Sequence, residues 1–95
     1  MTVLEEAPHI GKGKLMQFFC PGCRYYHSFL VGVVGHSWDW NGNMEKPTFS
    51  PSMLVNRGTS QQCHLFVREG KIQFLNDCWH ELRGKTVEME DIESI

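Results

Sequence analysis

The segment Cys20-Pro21-Gly22-Cys23 constrains this chain more than any other. Two thiols separated by two residues, with Pro and Gly between them, form a turn that aims both sulfurs at one tetrahedral cation. A chain of 95 residues is one domain with a modest core. Domains of that size often need a metal, disulfides or a partner to reach useful stability. Most of the remaining ligand-type side chains, Cys63, His64, Cys78 and His80, cluster in one later segment. The expectation is a zinc-stapled domain holding one Zn2+.

Charge narrows the function classes. The net charge is −2 and the Lys and Arg residues are scattered, so there is no electrostatic case for nucleic acid. A content of 41% hydrophobic residues argues against wholesale disorder. The N-terminal residues include Glu5 and Glu6 and lack the apolar run of a signal peptide. No stretch approaches the length of a membrane span. A cytoplasmic protein is therefore expected, in a phage-infected host or otherwise. In a reducing compartment, four cysteines read better as metal ligands than as two disulfides.

Patterning predicts a mainly β fold with one or two short helical turns. Residues 1–14 read as a loose lead, 15–89 as the domain and 90–95 as an acidic tail. Residues 15–19 and 24–34 form a hairpin with the cysteine knuckle at its tip. Asn41-Gly42 is a turn signal. Pro47 and Pro51 forbid a helix and disfavour a central strand, which leaves a short strand at 53–56. The clearest hairpin pairs 63–68 with 71–75 through Glu69-Gly70. Asn76 or Asp77 can cap a helical turn over 78–82, ended by Gly84, and 86–89 is a last strand.

Structural zinc takes four ligands. Cys20 and Cys23 supply two. Cys63 and His64 are neighbours, so on a strand they point to opposite faces and only one reaches the metal. Cys63 is the better candidate, because His64 shares a face with Phe66. Cys78 and His80 lie two apart; in an extended segment both could reach the metal, and on a helical turn only one does. One ligand from each pair completes the site, with His27 a further donor nearby.

The quoted motifs, with Trp40-Asn41-Gly42, Pro47-Thr48-Phe49-Ser50-Pro51-Ser52, Cys63-His64-x-Phe66 and Asp77-Cys78-x-His80-x-Leu82-x-Gly84, resemble the pattern of the DUF6527 family. That family comprises small proteins often encoded by phages and prophages. The resemblance spans residues 15–89. It implies that His80, rather than Cys78, is the fourth ligand, giving Cys20, Cys23, Cys63 and His80 with Cys78 and His64 in reserve. Many members carry a longer Cys-bearing insertion where this chain has only residues 56–62.

Catalytic motifs fail one by one. His80-Glu81 opens like HExxH, but Gly84 stands in the second His position. The His-x-Glu of zinc deaminases is missing before the knuckle. The expected function is then a phage-type accessory or host-interaction protein that works by binding a protein partner, through Trp38, Trp40 and Phe49 beside the proline turn. Two other classes stay open. One is a metal-dependent hydrolase with an open zinc site walled by His27, His64 and Glu81, with Glu81 as base. The other is a nucleic-acid-binding zinc module.

Overall fold

The computed structural model describes residues 1–94. Strands β1 (Glu5–Ala7), β2 (Lys14–Cys20) and β3 (Tyr25–Val31) form one antiparallel sheet in the order β1-β2-β3. Strands β4 (Asp39–Trp40), β5 (Phe49–Val55), β6 (Cys63–Arg68), β7 (Lys71–Phe74) and β8 (Thr86–Glu88) form a second, also antiparallel, in chain order. The only helix among the described residues is a 3-10 turn at Ile92–Ser94. None is long and apolar enough to cross a membrane.

Aromatic rings join the sheets. Phe29 of β3 stacks on Phe49 of β5 with ring centres 4.0 Å apart. Phe18 lies against Phe29 on one side, and Trp40 against Phe49 on the other. Around this stack β6 sends Cys63, Leu65 and Val67 inward and His64 and Phe66 outward, with strict alternation of burial. That period of two makes adjacent residues serve opposite faces, and it governs everything about the site. The β6–β7 hairpin closes through Glu69 and Gly70, both at positive φ (50° and 75°), as a two-residue turn with the twist of the strands requires.

Three expectations need correction. The first residues are no loose lead: Val3 and Leu4 are buried in the core and β1 pairs with β2. The acidic end is also tied down, since Thr2 N–H donates to Asp91 and Ile92 N–H to Thr2 O; Ile95 of the expected tail lies outside the described residues. The region 78–82 is a run of turns rather than a helix, with Arg83 N–H reaching His80 O at 3.2 Å.

The prolines are accommodated differently from expectation. Strand β5 runs through Pro51, because the register shifts there. Phe49 pairs with Val67 and Met53 with Leu65, so residues 50–52 lie opposite the single residue Phe66. In that bulge Pro51 needs no ladder donor.

Candidate active site and metal centre

Strand β6 separates two clusters of functional side chains, because Cys63 points inward and His64 outward. The inward cluster gathers around the knuckle at the end of β2. Ligand atoms of Cys20, Cys23, His27 and Cys63 all lie within 4.8 Å of one another, and a second group joins Cys63, Cys78 and His80 at the same limit. These groupings can hold a metal ion. His80 Nε2 is 3.4 Å from Cys63 Sγ. The His80 ring fills the space over Gly22, where any Cβ would fall on the imidazole, so the knuckle accepts only glycine there. His27 is buried and its Nε2 has no hydrogen-bond partner.

Burial and mutual contact shift the ionisable groups of this cluster in opposite directions. All four cysteines are free and buried. The Cys63 thiol donates to Cys20 and pushes its pKa down to about 4, helped by His27 and opposed by burial. The same contact drives Cys63 up, and burial raises Cys23. Burial also lowers His80, which favours the neutral ring a metal needs.

The outward cluster was not foreseen. Ser52 leaves the β5 bulge with its Oγ 3.0 Å from His64 Nε2. His64 Nδ1 lies 3.1 Å from Asp77 Oδ2. With the proton on Nδ1, the ring donates to Asp77 and leaves Nε2 to accept from the serine hydroxyl. The Asp77 carboxylate also accepts from Gln62 Nε2 at 3.0 Å. His64 is about a quarter exposed and Asp77 about half, with side-chain accessibilities of 26% and 49%.

The loop after β7 that carries Asp77 is pinned to β6. Leu75 N–H donates to His64 O at 2.9 Å and Trp79 N–H to Gln62 O at 2.9 Å. Cys78 adds a second grip: its sulfur accepts His64 N–H at 3.2 Å and its thiol donates to His64 O at 3.1 Å. Cys78 thus holds the backbone of the histidine from behind.

The expected contact residues fare unevenly. Phe49 is 1% exposed and belongs to the core stack, so it is no binding residue. Trp38 and Trp40 are partly buried against the core. The Trp38 indole donates to Ser52 O at 3.4 Å, and Trp38 lines a shallow pocket of ≈ 270 Å³ with Gly35, His36, Ser37 and Pro51. Of the residues expected to wall an open zinc site, His27 faces the thiols, His64 faces Ser52, and Glu81 is exposed. They do not converge.

Sequence reasoning missed Ser52 and Asp77 and took His64 for a structural or reserve residue. No local spacing announces them, since such a constellation is defined by geometry rather than sequence position. One signal was available. Once Cys63 is given to the metal, the outward His64 is free for something else.

A serine hydroxyl, an imidazole and a carboxylate meet here in the order of contact that serine hydrolases use. Comparison with known families agrees. A family model described as "Bacterial ubiquitination-like system serine protease (BubE)" matches residues 2–75, and the chain belongs to that family. The match includes Ser52, His64, Cys20, Cys23 and Cys63 and ends two residues before Asp77. No curated protein and no solved structure matches the chain. Membership in this family replaces the resemblance to DUF6527. It also overturns the expectation of a phage-type accessory protein that works by binding alone.

Proposed function

We propose that the chain is a serine peptidase in which Ser52 is the nucleophile, His64 the general base and Asp77 the group that orients it. The continuous contact Ser52–His64–Asp77, at 3.0 and 3.1 Å, carries the reading. Ser52 Oγ attacks the carbonyl carbon of the scissile amide while His64 Nε2 takes the hydroxyl proton. The tetrahedral intermediate collapses, the C–N bond breaks, and the imidazolium returns that proton to the leaving amine. Water then attacks the acyl-serine with His64 again as base, releasing the acid and free Ser52. The family's description points to protein substrates belonging to a bacterial ubiquitination-like system. The hydrolase class anticipated as an alternative is retained, with a serine in place of a metal-bound water.

The metal in this reading is a structural zinc held by Cys20, Cys23, Cys63 and His80. Three thiolates and one imidazole are a usual closed zinc set. His80 is the proposed fourth ligand on its seat over Gly22 and its approach to Cys63, while the imidazole within 4.8 Å of all three of Cys20, Cys23 and Cys63 is that of His27. His27, with its unpartnered Nε2, is the competitor. Zinc on His80 would anchor the loop that presents Asp77, three residues earlier in the chain. The test is cleavage of a denatured protein such as casein. Wild-type chain should cleave it and Ser52→Ala and His64→Ala should not, at unchanged zinc content. Cleavage that survives Ser52→Ala would remove the proposal.

A further inference from the structure

Beyond Ser50 the strand that presents Ser52 has no strand partner on the side away from β6, although the Trp38 indole donates to Ser52 O there. On its far side β4 pairs only with Phe49 and Ser50. The direction of the backbone groups beyond them follows from β6. His64 engages Leu75 and Cys78 with its N–H and C=O, so its backbone faces away from β5. Backbone groups alternate along a strand. Those of Cys63 and Leu65 therefore face β5, where their register partners are Val55 and Met53. Leu54, between these two, directs its N–H and C=O outward. Among the described residues, neither group takes part in a backbone hydrogen bond outside the strand ladders. Leu54 is 38% exposed and shares a face with His64, its register partner.

We infer that this edge is the substrate-binding strand: an extended polypeptide segment pairs with the N–H and C=O of Leu54 and so delivers its scissile carbonyl to Ser52. The inference rests on the peptidase reading of Ser52. An unpaired edge is a ready template for an added strand. Leu54 lies two residues from Ser52, about 7 Å along an extended chain. The substrate residue bonded to Leu54 is therefore about two residues from the scissile bond, with its side chain beside the exposed leucine. The edge is too short to favour a second copy of the chain as occupant. Pro51 offers no N–H on one side, and on the other Asn56 leaves the extended region at φ 55° and is tied to the Tyr25 hydroxyl at 2.9 Å. A peptide needs only the one pair of bonds next to the nucleophile.

The experiment uses the zinc-loaded chain and a random decapeptide library. A cleaved peptide is resynthesised with one backbone N-methyl group at a time. Methylation at one position about two residues from the scissile bond should lower kcat/KM about tenfold, the effect of losing one hydrogen bond of a pair. The neighbouring position should change little. Leu54→Pro, which removes the outward N–H and leaves the β6 ladder intact, should cause a similar fall while Ser52 still reacts with a fluorophosphonate probe. Tolerance of N-methylation everywhere outside the scissile residue overturns the inference. So does a reactive Ser52 that cleaves no peptide of the library, or a dimer that Leu54→Pro dissociates. If Ser52 fails to react at all, the peptidase reading falls with it, and the two failures are told apart.

Discussion

Cys78 offers a sharp test, because its sulfur sits beside a possible metal site and yet is engaged with a backbone. It accepts His64 N–H at 3.2 Å and donates to His64 O at 3.1 Å. The carbonyl keeps a second partner, Leu75 N–H at 2.9 Å, so its loss is small. The N–H has no second partner outside the strand ladders among the described residues, and Cys78→Ala would strand it. An unsatisfied buried donor costs about 1–3 kcal/mol, and for this partly buried amide the lower half, about 1.5 kcal/mol, is expected. In a domain of this size that lowers Tm by roughly 6–12 °C. Cys78→Ser restores a donor and an acceptor, so it should recover most of the loss. Zinc content should stay at one ion per chain in both variants, and the rate at which Ser52 is labelled should fall in Cys78→Ala and recover in Cys78→Ser. Thermal melting, elemental analysis and labelling kinetics read the three quantities. A folded Cys78→Ser that has lost its zinc would refute the argument and make Cys78 a ligand.

Two further outcomes follow from the metal cluster. His80→Ala should abolish zinc retention and His27→Ala should not, as measured by elemental analysis after dialysis; the reverse result would make His27 the fourth ligand. Gly22→Ala should weaken zinc binding and lower Tm, because the new Cβ would fall on the His80 ring; an unchanged zinc affinity in a competition titration would show that the ring is not held there.

The β character was legible because alternation in residues 63–68 and the Glu69-Gly70 turn are local signals, and both appear where expected. The approach of Cys63 to the knuckle was legible too, since Cys-x-x-Cys declares its geometry within four residues, whereas the place of His27 beside these thiols was not. The N-terminal strand was not. Glu5 and Glu6 look like a solvated lead until Val3 and Leu4 are seen to fill the core. The bulge at Pro51 was not legible either, since proline statistics speak against a strand and cannot show that a register shift will accommodate one. The triad depends on that bulge, on the outward face of β6 and on a loop tied to β6 by long-range hydrogen bonds. Each is a tertiary fact. Trp38, Trp40 and Phe49 attracted a binding role because indoles are conspicuous in a sequence, whereas Phe49 is at the centre of the aromatic stack.

The most direct test of the account is the mass of the intact chain after reaction with a fluorophosphonate probe, followed by peptide mapping. One adduct per chain is expected, on Ser52, absent from Ser52→Ala and strongly slowed in His64→Ala and Asp77→Ala while zinc is retained. An adduct on Ser50 or another serine, or labelling of Ser52 that is indifferent to His64, would contradict it.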